Sequence, residues 1–229
     1  GGFDSRGLCM PCVVPVEDLL YLYYAGWGPP DGPRFVNRVG LALSRDGGHT
    51  WERSAAPLAL VDERDPIGVG TVHVIRERPD DWRMWYTSFS EWRDLGQGQF
   101  RHYYHIRYAE SADGRHWEKP RDNVCIDYEG EEYAIGRPMV LQEVDGYRMW
   151  FCVRAVGGTY QIGYAESPDG RRWTRHPSGV SVSPTGWDSE MVEYAFVLRR
   201  PQDYLMFYNG NGFGTSGTGL AVAPVLTGQ

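Results

Sequence analysis

Four acidic residues stand at nearly one distance ahead of four aromatic doublets. Asp4, Asp65, Glu132 and Glu190 precede Tyr24, Tyr86, Phe151 and Tyr208, the second aromatic of each doublet, by 20, 21, 19 and 18 residues. Carboxylates held in one confined place resist joint ionisation, so at least one keeps its proton near neutral pH. A retained proton can be given to a leaving group. Cleavage of a glycosidic bond needs this combination, one acid to protonate the departing oxygen and one carboxylate to activate water or attack the anomeric carbon.

Other polar and aromatic side chains fall near the same points of the chain. Arg137, Arg154 and His105 are candidates for fixing a carboxylate or a substrate oxygen, although a single His is more often a satisfied structural residue. Asn209 and Asn211 in "YNGNGFG" offer the paired donors and acceptors that sugar hydroxyls take, or else form a hairpin bend. Trp187 could stack on a pyranose or plug a sheet edge, Asp188 could shape its loop or bind substrate, and Glu132 joins the substrate-binding set. Glu193 stands at a strand entry and draws no catalytic role from sequence.

The elements that must position these groups come from a repeat. Ser-x-Asp-Gly followed by Trp occurs in "SRDGGHTW" (44–51), "SADGRHW" (111–117) and "SPDGRRW" (167–173). Asp46, Asp113 and Asp169 read as turn formers, since Asp bonds the local backbone while Gly takes positive φ. Each turn follows an alternating segment, "RVGLALS", "HIRYAES" or "QIGYAES", and "GTGLAVA" is a fourth copy without the turn. Ahead of these lie "LYLYYAG", "WRMWYTS", "YRMWFCV" and "YLMFYNG", and ahead of those "CVVPV", "TVHVIR", "PMVLQE" and "AFVLRR". Alternation of this kind predicts strands. The reading is an all-β single domain over 1–229, a β-propeller with four blade modules at approximately 1–61, 62–128, 129–184 and 185–229. A β-sandwich is the runner-up. The fourth module stops after its third strand, so an upstream segment, a partner segment or a homo-oligomer is expected to close the ring.

The 229 residues carry a net charge of −7, which disfavours nucleic acid and anionic membranes and favours a neutral or cationic small ligand. No apolar run reaches the length of a membrane span. Four cysteines are too few for a disulfide scaffold, and "CMPC" sits in a predicted strand where residues three apart face opposite ways, so buried free thiols and a reducing cytoplasm are expected. Neither a cofactor nor a metal is expected.

In the order "FDSRG", "YLYYAGW", "NRVGLALSRDGG", "RDP", "YHIRYAESADG", "EEYAIGRP", "IGYAESPDG", "WDSEM" and "YNGNGFG", the chain resembles the five-bladed propeller proteins related to glycoside hydrolase family 43 and the furanosidase superfamily. The resemblance spans almost the whole sequence and is most specific in the last four motifs. It implies one further blade-forming segment ahead of "FDSRG", and a three-acid site with Asp4 as base, Asp65 as the modulating carboxylate and Glu190 as general acid. Glu132 is the alternative modulator. Two departures lie beside these acids, "GLCMPCVV" in place of a Met-Pro-x-Cys order and His73 where a Pro or small residue is commoner. Three functions follow as expectations: a glycoside hydrolase-like enzyme, a non-hydrolytic cyclase, lyase or rearrangement catalyst of a secondary-metabolite pathway using the same pocket, and a non-catalytic glycan-binding propeller.

Overall fold

The computed structural model describes residues 2–29 and 35–225; residue 1, part of the first module (30–34) and the end of the fourth (226–229) lie outside it. The described residues are all β, with no helix long and apolar enough to cross a membrane. The chain divides into two compact units, Gly1–Asp127 and Tyr128–Gln229.

Unit 1 holds two consecutive antiparallel meanders. The first runs through β1 (Gly7–Val16), β2 (Leu19–Trp27), β3 (Asn37–Ser44) and β4 (Glu52–Arg53), and the second through β5 (Gly68–Arg78), β6 (Asp81–Gly96), β7 (Gln99–Ser111) and β8 (Val124–Ile126). Unit 2 holds β9 (Glu132–Glu143), β10 (Gly146–Ala155), β11 (Tyr160–Ser167) and β12 (Thr174–His176), followed by β13 (Glu193–Arg199), β14 (Asp203–Asn209) and β15 (Thr218–Pro224). Each of the twelve segments read as strands from sequence falls on its own strand here, three of them overrunning it by one residue, and the fourth meander has three strands among the described residues. The core of unit 1 packs Val14, Tyr23, Leu41, Val72, Trp82 and Tyr86; that of unit 2 packs Met139, Trp150, Ile162, Val192 and Val197.

The repeated turns are built as their residue types dictate. Oδ1 of Asp113 accepts the amides of Arg115 and His116 at 2.8 Å, and Oδ1 of Asp169 accepts those of Arg171 and Arg172 at 2.9 Å. Trp51 and Trp173 fold back so that Nε1 donates to the carbonyls of Gly48 and Gly170 at 3.0 and 3.1 Å. These aspartates are occupied with the backbone.

The aromatic doublets explain the glycines of the third strands. Tyr24 faces Gly40, Phe151 faces Gly163 and Tyr208 faces Gly219 across the ladder. A Cβ on these glycines would stand 2.2, 2.3 and 2.6 Å from the opposing ring. Phe151 is 1% exposed and has nowhere to move. Gly163→Ala is therefore expected to cost about 1–3 kcal/mol through overpacking, read as a lower urea midpoint.

Every first strand carries a bulge where it enters the meander: between Cys9 and Cys12, Val69 and Val72, Gly136 and Met139, and Glu193 and Phe196. Met10, Arg137 and Tyr194 sit in three of them at φ of 55°, 57° and 55°, a left-handed conformation that costs energy outside glycine. Bulges of this kind re-aim neighbouring side chains. Met10, Gly70, Arg137 and Tyr194 lie six, five, five and four residues after Asp4, Asp65, Glu132 and Glu190.

Candidate active site

In unit 1 the acids ahead of β1 and β5 are each held by the doublet of their own meander. The Tyr24 hydroxyl donates to Asp4 Oδ2 at 3.0 Å, and the Tyr86 hydroxyl to Asp65 Oδ2 at 3.4 Å. Burial, helped by the Asp4 contact, pushes the Tyr24 phenol up to about 12, so it remains a donor. Each acid also receives a cation standing two residues after the repeat Trp. Arg53 Nη1 reaches Asp4 at 2.9 Å, and Lys119 Nζ reaches Asp65 at 2.6 Å and Asp62 at 2.8 Å. Asp65 is wholly buried, with Oδ1 lacking a hydrogen bond and the Arg107 guanidinium 3.9 Å away.

His105 belongs to this buried network. Arg107 Nε donates to its Nε2 at 2.9 Å, so the ring proton is on Nδ1, which donates to Asp127 Oδ1 at 3.1 Å. Burial lowers its pKa against the pull of Asp127, which keeps the ring neutral. Arg107 also bonds Asn123, whose amide donates to the Tyr86 hydroxyl at 3.2 Å. His105 thus supports the Asp65 surroundings.

In unit 2, Glu132 follows the same plan with different atoms. The doublet supplies Phe151, which has no hydroxyl, and Arg175 binds both Glu132 oxygens at 2.8 Å while its guanidinium lies 5.3 Å from the Phe151 ring centre. In the fourth meander the acid that receives the tyrosine hydroxyl is Asp188, 3.0 Å from Tyr208 and 20 residues before it, the spacing found for Asp4 and Tyr24. The register therefore falls on Asp188 rather than Glu190. Glu190 is exposed. Its amide donates to Asn211 Oδ1 at 2.8 Å and its carbonyl accepts the Thr159 hydroxyl.

Asn211 ties the loop together. Its Oδ1 also accepts the Met191 amide at 3.0 Å, and its Nδ2 donates to the Gly186 carbonyl at 3.1 Å. Asn209 accepts the Thr218 hydroxyl at 3.4 Å. Trp187 stacks on Tyr208 with ring centres 5.6 Å apart, and Gly210 and Gly219 leave room for its indole. Arg137 occupies the β9 bulge, where its charge acts on Cys152 and Tyr194. Arg154 places its guanidinium 5.7 and 5.4 Å from the Tyr133 and Tyr160 rings and acts on Glu193. No disulfide joins the cysteines; Cys152 is buried as expected, whereas Cys9, Cys12 and Cys125 are only partly buried, and Cys9 and Cys12 flank the β1 bulge, where their thiols accept the Trp27 indole and the Val74 amide.

Glu193 is the residue that sequence reasoning set aside. It is wholly buried, neither carboxylate oxygen has a hydrogen bond, and burial pushes its pKa up to about 7 against the Arg154 charge. It lies in the β13 bulge opposite Asn209; the matching residues are Cys9 opposite Ala25 and Gly136 opposite Cys152. A carboxylate where the repeat elsewhere places small uncharged residues departs from the structural rule, and such departures mark function. Aligning the bulges rather than the loop acids would have found it. The Arg or Lys two residues after each repeat Trp, in "WER", "WEK" and "WTR", was equally readable. A buried carboxyl that titrates near neutrality can deliver a proton to a leaving oxygen.

No protein-family model matches the chain. The Mycobacterium tuberculosis proteins "Uncharacterized protein MT1551" and "Uncharacterized protein Rv1502" are each 39% identical to it over 225 residues, covering 97% of this chain and 73% of their own length. Among solved structures, a "Glycoside hydrolase" superposes with a TM-score of 0.76 at 16% identity, covering 98% of this chain and 71% of that one. A thermostable family-43 glycoside hydrolase gives 0.69 at 16% identity, covering 97% and 72%. The β-1,2-mannobiose phosphorylase from Listeria innocua gives 0.68 at 14%, covering 96% and 72%. At these identities the likeness shows the fold alone, an all-β propeller-like architecture of the glycoside hydrolase type.

Proposed function

The chain belongs to the family of the Mycobacterium tuberculosis proteins MT1551 and Rv1502, and from that premise we propose that it is a carbohydrate-active enzyme acting on a glycosidic bond. Glu193 carries the reading, as a buried carboxyl with no hydrogen bond and a pKa raised to about 7. It takes the general-acid role that the sequence reading gave to Glu190. Its proton passes to the departing glycosidic oxygen as the bond to the anomeric carbon breaks. The carbon is then taken by water, whose proton goes to a carboxylate base. Within unit 1, Asp4 remains the candidate base of the sequence reading, with the Tyr24 and Arg53 bonds both on Oδ2. Asp65, bound by Lys119 and the Tyr86 hydroxyl, remains the candidate charge-setting carboxylate of unit 1.

The fold in this reading is a five-bladed propeller. The cross-strand pairs Tyr23–Leu41 and Trp85–Tyr108 are buried, and Trp150, opposite Tyr164, is only 7% exposed. The matching row Phe196–Phe207–Leu220 of the fourth meander is 48%, 38% and 55% exposed. Such an apolar row is what a further meander would cover.

The test is release of aglycone from a panel of aryl glycosides, run with and without inorganic phosphate. Glu193→Gln is expected to lower kcat/KM by at least a hundredfold, and more on poor leaving groups than on good ones. Asp4→Asn is expected to lower it on all of them. Full activity in Glu193→Gln with loss in Glu190→Gln would return the acid role to Glu190. Turnover surviving all three changes would sink the reading.

A further inference from the structure

Three meanders pair the acid ahead of their first strand with a cation, and in two of them a doublet tyrosine hydroxyl donates to it as well. The cation stands two residues after the repeat Trp: Arg53 on Asp4 at 2.9 Å, Lys119 on Asp65 at 2.6 Å and Arg175 on Glu132 at 2.8 Å. The fourth meander supplies the tyrosine without the cation. Asp188 is 5% exposed and accepts the Tyr208 hydroxyl at 3.0 Å. "GTGLAVA" carries no Ser-x-Asp-Gly…Trp turn, and among the described residues no Lys or Arg forms an ion pair with Asp188. A buried carboxylate without a countercharge is costly, and the other three meanders show which kind of group completes it.

Two further features of this meander point to a ligand. Trp187, beside Asp188, is 37% exposed and presents an aromatic face backed by Tyr208. Glu193, five residues on, is a wholly buried carboxyl whose oxygens have no hydrogen bond. The net charge of −7 draws cations toward the chain.

We infer that Asp188 is a specificity-determining residue that binds a cationic group of the substrate, and that the substrate class is a glycoside of an amino sugar with a free amine. This rests on the glycoside reading above. The ammonium of the sugar takes the place that Arg53, Lys119 and Arg175 occupy in the other meanders, while Trp187 covers an apolar face of the ring.

Calorimetric titration at pH 6.5 with glucosamine, galactosamine and mannosamine, beside their N-acetyl and unsubstituted counterparts, tests this. At least one free amine is expected to bind tenfold or more tightly than its neutral counterparts. In Asp188→Asn, which keeps an acceptor for Tyr208, the preference is expected to fall below about twofold while neutral-sugar binding is unchanged. Equal binding of neutral sugars, no binding, or a preference that survives Asp188→Asn overturns the inference and assigns the missing cation to protein rather than ligand. Amine binding without glycoside turnover would leave Asp188 as assigned and sink the enzyme reading. Turnover of neutral glycosides without amine preference would do the reverse.

Discussion

Glu193→Gln is expected to make the folded protein more stable above pH 7 while it removes activity. The carboxyl titrates at about 7 in the folded chain against 4.5 for the ordinary group. Between those values the folded state holds a proton that the unfolded state has released, so wild-type stability falls as pH rises through this window. Above pH 7 the fold must carry a buried charge, and the accumulated loss is on the order of 3 kcal/mol. Gln cannot ionise. Its amide adds a cost that does not change with pH, so the stability of the variant minus that of wild type should increase from pH 5 to pH 7 and then level. Urea unfolding of both proteins at pH 5, 6, 7 and 8 measures this difference. Parallel stability profiles would show that Glu193 does not titrate in this window.

The same proton sets the expected pH dependence of activity. A general acid works only while protonated, so kcat/KM is expected to fall about tenfold per pH unit above roughly 7. Arg154 opposes the burial of Glu193, and replacing it with Met should move the alkaline limb to higher pH. An unmoved limb in that variant would assign it to another group.

The strands were legible because three of the four meanders repeat one packing solution. A doublet aromatic over a third-strand glycine recurs as Tyr24 on Gly40, Phe151 on Gly163 and Tyr208 on Gly219, and neither partner can change alone. In the fourth loop the sequence reading set the register on Glu190, whereas the Tyr208 hydroxyl meets Asp188. In "WDSEM" chain distance left both Asp188 and Glu190 eligible, and the Tyr208 hydroxyl decides between them only in three dimensions. Glu193 escaped because alternation describes a regular strand, while the β13 bulge changes the facing of residues beside it. The cations escaped for another reason. Arg53, Lys119 and Arg175 lie 49, 54 and 43 residues from the acids they bind, across three strands, and proximity in sequence gives no hint of the pairing.

Lys119→Met is expected to destabilise unit 1 far more than Arg53→Met, although the two residues hold the same repeat position. The Lys119 and Asp65 side chains are 5% and 0% exposed, whereas Arg53 is 55% exposed over Asp4. Removing one partner of a buried pair leaves a charge that water cannot reach, which costs roughly 3–5 kcal/mol. Arg107, 3.9 Å from the other Asp65 oxygen, recovers only part of this loss. An exposed pair exchanges protein for water with little change, so Arg53→Met should stay within about 1 kcal/mol. Adding Asp65→Asn to Lys119→Met removes the stranded charge and should restore at least half of the lost stability. Urea unfolding of the two single variants, Asp65→Asn and the double variant completes the cycle. If Lys119→Met costs no more than Arg53→Met, the pair does not behave as a buried one and Asp65 is open to solvent. If the loss is large and Asp65→Asn rescues it, Asp65 and Lys119 form a buried ion pair whose cation the repeat itself supplies, as the charge-setting role requires.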